Sequence, residues 1–154
     1  MRTFILLTAV PGAGKSTWAA RYAKEHDHVY IVNSDEVRKE VAGSYRNFSM
    51  QDKVWATFRE RIHDFAKKDK NAIVIADGVN DTNQIRLFYR QETPEFERHV
   101  MVYIIKPLDV LQRQNKERDL EKQVPPEVVE SFYKRIEEPS SEVKHAYDEC
   151  FVIS

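Results

Sequence analysis

The run Gly12-Ala13-Gly14-Lys15-Ser16-Thr17 has the residue types and spacing to hold a chain of phosphates. Glycines at 12 and 14 reach backbone conformations barred to other residues. They also leave room for amide groups to close around phosphate oxygens at the positive end of a following helix. Lys15 supplies a point charge to the terminal phosphates. The Ser16 hydroxyl is suited to ligate magnesium, which neutralises charge as phosphate is transferred. The pattern G-x-x-x-x-G-K-[ST] begins with glycine, and Ala9 stands there instead. The glycine pair beside Lys15 matters more to phosphate contact, and it is intact.

Two further side chains belong with this loop. Asp77 ends the apolar run 72–76, where an acidic residue can help hold magnesium, often through water. Its plainer role is to cap the loop that follows through backbone amides. Asp35 follows the β-rich run 29–32 and suits a general base, because phosphoryl transfer needs an oriented hydroxyl and a carboxylate to take its proton. The alternative is an N-cap aspartate followed by an exposed Arg38.

The elements that must position these groups alternate. Residues 4–8 form a continuous apolar run suited to a buried parallel strand, and 17–24 read as a helix with Trp18 and Tyr22 four apart. Strands follow at 29–32, 72–76, 100–105 and 150–153. Helices are expected at 37–42, 51–68, 84–91 with Ile85 and Phe88 inward, 109–120, and from Pro125-Pro126 to about 138. In the long helix, Trp55, Phe58, Ile62 and Phe65 read as core. Alternation of this kind implies a parallel sheet covered on both faces, with ligands at the strands' C-terminal ends. The phosphate loop, Asp35 and Asp77 all fall there.

Composition narrows the function classes. A chain of 154 residues with 42% hydrophobic content can bury one core, and 1–154 reads as a single domain. Lys plus Arg, 24, nearly cancels Asp plus Glu, 25, so any binding to nucleic acid must be local. Cys150 is the one cysteine, which excludes an intramolecular disulfide and fits a reducing cytoplasm. No membrane span or targeting segment is expected. His26, His28, His63, His99 and His145 show no metal-ligand spacing and read as surface or interface residues. The Lys67-Lys68-Asp69-Lys70 run reads as a solvated helix end.

Residues 10–19, then 33–38, then Asp77-Gly78-Val79-Asn80 together resemble the kinase domain of the bacteriophage polynucleotide 5'-hydroxyl kinase and its small bacterial relatives. The segments 124–129 and 132–139 are similar to that family's C-terminal helix. The resemblance implies an α/β phosphate-loop NTPase: a three-layer sandwich, adenylate-kinase-like, with about five parallel strands and a mobile arginine-bearing lid at about 109–125. It implies ATP and Mg2+, Asp35 as general base, and Arg38 as a substrate-phosphate ligand. The family's lid presents two arginines four residues apart. Here Arg118 has Gln114 at that spacing and Arg113 one step earlier, so Arg118 is the principal lid arginine and Arg113 the expected substitute.

The function expected is ATP-dependent transfer of the γ-phosphate to a hydroxyl. The acceptor is a polynucleotide 5'-hydroxyl end by resemblance, while the near-neutral charge favours a nucleoside or small molecule. A nucleotide-dependent switch or interaction module, which would not need Asp35, is the alternative. A ring ATPase is disfavoured, because the chain has no room for the usual additional helical domain.

Overall fold

Phe4 lies in register with Val74 on one side and His99 on the other, and Ile5 with Ile75 and Val100. The central apolar runs are therefore neighbours. The computed structural model describes residues 1–154. Strands β1 (Thr3–Thr8), β2 (Val29–Asn33), β3 (Ile73–Asp77), β4 (Arg98–Ile104) and β5 (Glu149–Ile153) form one sheet in the order β2-β3-β1-β4-β5. Every pairing is parallel. Around them run α1 (Lys15–Glu25), α2 (Ser34–Ala42), α3 (Gln51–Lys68), α4 (Asn83–Glu92), α5 (Leu108–Glu117), α6 (Pro126–Arg135) and α7 (Ser141–Ala146).

Side chains of the central strands alternate between two cores. Phe4, Leu6, Val74, Ala76 and Met101 meet α2, α3, α4 and α7 through Val37, Phe58, Ile62, Tyr89 and Val143. Ile5, Leu7, Ile75, Val100 and Val102 meet α1, α5 and α6 through Ala19, Leu111 and Val129. A sheet covered on both faces explains why these strands are apolar throughout. The expected three-layer α/β phosphate-loop fold is the observed one. β1 sits where the strand order reverses, between β3 and β4, which is where such sheets open a ligand crevice.

Three expectations are corrected. Helix α4 turns Arg86 and Tyr89 inward and leaves Ile85 and Phe88 36% and 41% exposed. The reason is polar: the buried Arg86 guanidinium donates to Thr8 Oγ1, the Asn80 and Glu137 carbonyls and Asn83 Oδ1. Four acceptors offset its desolvation, which pulls its pKa below the usual arginine value. His99 is in the core, 2% exposed, against the rings of Phe4, Phe96 and Tyr147. Helix α7 was not expected at all. In α3, Phe58 and Ile62 are buried as read, with Trp55 and Phe65 packed at the margin.

Candidate active site

Between β1 and α1 the chain turns through two left-handed glycines, Gly12 at φ 95° and Gly14 at φ 92°. Gly14 occupies the N-cap of α1, and no side chain caps that end. The first amides of an eleven-residue helix are thus left facing the crevice, an arrangement suited to an anion. Helix α5 closes the loop from the side. A Cβ built on Gly12 would lie 2.5 Å from the Leu111 carbonyl oxygen.

Beside the loop, Ser16 Oγ donates to Asp77 Oδ2 at 3.0 Å, and Asn33 Nδ2 donates to the same oxygen at 2.8 Å. Register brings them together, since Asn33 pairs with Asp77 across β2 and β3. Asp77 is 1% exposed, and its Oδ1 has no hydrogen-bond partner. An orphaned carboxylate oxygen is costly in so buried a place. No group of three or more His, Cys, Asp or Glu side chains converges to hold a metal by itself. The pair Ser16 and Asp77 does fit an ion whose other ligands are phosphate and water oxygens.

Asn33, not Asp35, caps α2: its side chain accepts from the Glu36 amide at 3.0 Å. Asp35 is thereby released from capping. Arg38 Nη1 donates to Asp35 Oδ1 at 2.9 Å from one helical turn on, and Arg118 Nη2 approaches Oδ2 at 3.4 Å. The Arg38 side chain is 7% exposed and that of Arg118 25%. One arginine is fixed in the wall, and the other comes from outside it.

Arg118 stands just past the end of α5. There Asn115 Nδ2 donates to the Val124 carbonyl at 2.7 Å while the Val124 amide donates to Asn115 Oδ1 at 3.1 Å. This reciprocal pair closes the neck of a loop, residues 116–123, that crosses the crevice to α2. Lys122 reaches Glu36 at 3.2 Å, Glu121 reaches Lys39 at 3.7 Å, and Arg46 donates to the Leu120 carbonyl. The hydrogen bond to Glu36 raises the Lys122 pKa above its ordinary value.

Two cavities flank Asp35. One, ≈ 660 Å³, is lined by the phosphate loop with Trp18, Arg21, Gln114 and Glu117. The other, ≈ 1260 Å³, opens between α2, α3, α4 and α6. Lys15, Asp35, Arg118 and Lys122 line both.

Residues 5–139 match the family described as AAA domain. This chain belongs to that AAA domain family. Solved structures of low sequence identity share its α/β phosphate-loop fold. A chain of the Pnkp1/Rnl/Hen1 RNA repair complex superposes with a TM-score of 0.73 at 18% identity, over 96% of this chain and 46% of that one. Kti12 from Chaetomium thermophilum, in complex with ADP-AlF3, gives 0.70 at 18% identity over 98% of this chain and 88% of its own. A gluconokinase from Sinorhizobium meliloti 1021 gives 0.62 at 17% over 97% and 81%. This AAA domain spans less than half of the RNA-repair chain.

Of the residues anticipated from sequence, Gly12 to Thr17, Asp35, Arg118 and Asp77 converge in this AAA domain, with Arg38 behind Asp35. Arg113 does not. It is exposed on α5 and lines neither cavity, whereas Gln114 faces the phosphate loop. One residue of helix turns a side chain by about 100°, which carries Arg113 off the cleft face. Asn33 was missed as a site residue, and its signal was position: a polar side chain at the last residue of a strand. Lys122 and Gln114 fall in the segment read as a lid, Gln114 at the spacing of the absent second arginine, but neither was assigned a place in the site.

Proposed function

We propose that this protein is an ATP- and magnesium-dependent kinase that transfers the γ-phosphate to an acceptor hydroxyl. A polynucleotide 5'-hydroxyl end is the leading acceptor, with a nucleoside or small-molecule hydroxyl as the other. The observation that carries the reading is the position of Asp35, with Lys15, Arg118 and Lys122, at the junction of the two cavities. Nucleotide fills the smaller cavity and acceptor the larger, so the transferred group passes that junction.

In the reaction, the acceptor oxygen bonds to the γ-phosphorus, the bond from that phosphorus to the β,γ-bridging oxygen breaks, and ADP leaves. Amides of 12–17 and Lys15 hold the nucleotide phosphates. Asp35 accepts the proton lost by the hydroxyl, late in the transfer. Arg38 holds the carboxylate in place and is within reach of an acceptor phosphate. Arg118 leaves Asp35 for the developing charge on the transferred group. Ser16 and Asp77 would hold magnesium, which when bound neutralises phosphate charge.

Residues 1–154 act as one domain, and the lid is narrower than 109–125. Leu111 and Asn115 are buried and hold α5 to the phosphate loop as far as Asn115, so the segment proposed to move is 116–123, from the last two residues of α5 onward. No helix is long and apolar enough to cross a membrane. A lone thiol at Cys150, whose pKa burial pushes up, is compatible with the cytoplasm.

The test is transfer of labelled γ-phosphate from ATP to a mixture of 5'-hydroxyl DNA and RNA ends, nucleosides and small alcohols. A covalently labelled acceptor supports the kinase and names its substrate. Slow hydrolysis with no labelled acceptor, and nucleotide-dependent capture of a protein, would favour a switch instead.

A further inference from the structure

The larger cavity carries a feature that the chemistry at Asp35 does not require. Three guanidinium groups lie over three of its aromatic rings: Arg38 over Phe48 at 4.7 Å, Arg59 over Phe88 at 5.6 Å and Arg135 over Phe132 at 4.1 Å. Phe48 and Phe88 are 57% and 41% exposed. The groove also departs from the neutral chain around it. It gathers Lys15, Arg38, Arg46, Arg59, Arg118, Lys122 and Arg135 against Asp35, Asp52, Asp81 and Glu121. Exposed ring faces interleaved with guanidinium groups are the chemistry that stacks bases while neutralising phosphates.

Of the three pairs, one is linked directly to the reacting centre. Arg38 touches both Asp35 and Phe48, so the Phe48 ring is one side chain removed from the carboxylate. Phe88 is on α4, backed edge-on by Tyr89, which packs on Phe58, which in turn packs on Trp55. Its arginine is also different. Arg38, Arg118 and Arg135 each have a carboxylate partner, whereas Arg59 has no ion pair and no hydrogen-bond partner. A half-buried guanidinium over a ring, with its donors unspent, is prepared for an anion that arrives with the ligand.

We propose that Arg59 and Phe88 form a second nucleotide subsite for a single-stranded nucleic-acid acceptor. Phe48 and Arg38 receive the residue whose 5'-hydroxyl faces Asp35. Phe88 stacks the base of the next residue and Arg59 meets the phosphate between them. The inference rests on the kinase reading for the role of Asp35, but the subsite itself does not. Its consequence is selection by length: a one-residue acceptor fills one subsite, and a two-residue acceptor fills both.

The experiment uses 5'-hydroxyl acceptors of one, two and four residues with the parent, Phe88→Ala and Arg59→Gln. Binding is measured by calorimetry and phosphate transfer separately. Base stacking on an aromatic side chain contributes about 1–3 kcal/mol, so the parent should bind two residues at least about fivefold more tightly than one. In either variant that ratio, and the matching ratio of KM values, should fall toward one. Phe88 is exposed, so its truncation opens no core cavity, and a thermal melt checks the fold. Equal losses at every length, a parent indifferent to length, or binding of a small alcohol but no oligonucleotide would each overturn the subsite. Length-dependent binding with no transfer to any acceptor keeps the subsite and overturns the kinase.

Discussion

Arg118 Nη2 lies 3.4 Å from Asp35 Oδ2, across 83 residues of chain, while Arg38 Nη1 donates to the other oxygen of the same carboxylate at 2.9 Å. Both oxygens are engaged, by arginines of unequal freedom. The Arg38 side chain is almost covered, and Arg118 hangs from a loop whose other ties, at Glu36, Lys39 and Arg46, are exposed. Exposed ion pairs contribute little, so the loop can release α2 at small cost. Asp35 gains a free oxygen when it does.

Asp35→Asn should leave nucleotide affinity near that of the parent and lower acceptor phosphorylation by on the order of 10² to 10⁴. The amide keeps the size of the side chain, and α2 keeps its cap because Asn33 supplies it. Turnover at saturating nucleotide, measured under conditions where chemistry limits the rate, decides the matter. Equal turnover would return Asp35 to a structural anchor for its two arginines.

Arg118→Ala and Arg113→Ala should separate. Removing a donor aimed at charge that develops in the transition state costs on the order of 10² to 10³ in rate, and that loss is expected for Arg118. Arg113, exposed and outside both cavities, should behave like the parent. Parallel assays of the two variants check this. Two fully active proteins would make 116–123 a surface loop and no lid.

Protonation of His99 should destabilise the fold in mild acid. Its Nε2 faces the Thr93 carbonyl at 2.8 Å and must carry the hydrogen, while Nδ1 is buried without a partner. Burial lowers the pKa from the ordinary 6.5. The unfolded chain therefore takes up the proton first. The contribution is complete above about pH 6.5 and is lost as pH falls from there toward the lower folded value. Melting temperatures of the parent and His99→Gln between about pH 7.5 and pH 5.5 isolate it. The parent should lose more, and identical slopes would exclude His99 as the cause.

What the sequence made readable was whatever is local. Gly12, Gly14, Lys15 and Ser16 are consecutive or nearly so, and their chemistry follows from spacing alone. The apolar runs that end in Thr8 and Asp77 announce buried strands. Helix α4 has the expected period but is turned by one residue, because the acceptors that bury Arg86 come from the distant Thr8 and Glu137 and from Asn80 in the preceding loop, none of which periodicity registers. Asn33 joins Ser16 and Asp77 only once β2 is known to pair with β3. Helix α7, six residues with Val143 alone buried, is too short to show a stripe.

Gly12→Ala should damage the protein more than Gly14→Ala, although both glycines are left-handed, at φ 95° and φ 92°. The conformational cost is shared: a side chain in that region costs about 1–2 kcal/mol. Their surroundings differ. At Gly14 a new methyl group meets nothing within 4 Å, and at Gly12 it meets the Leu111 carbonyl oxygen at 2.5 Å. That oxygen belongs to the backbone of α5 and cannot swing away as a side-chain tip can. Relief requires α5 to lift from the phosphate loop, carrying Asn115 and the neck of the 116–123 loop with it. Gly14→Ala is therefore expected to lower stability by about the strain alone and to weaken nucleotide binding at the N-terminus of α1. Gly12→Ala should lower stability further and also reduce the effect of removing Arg118, because the loop that delivers that arginine is already displaced. Chemical denaturation of the two glycine variants, and transfer assays of Gly12→Ala with and without Arg118→Ala, measure both parts. Equal stabilities for the two variants, with the Arg118 effect undiminished, would mean that α5 does not hold the lid to the phosphate loop.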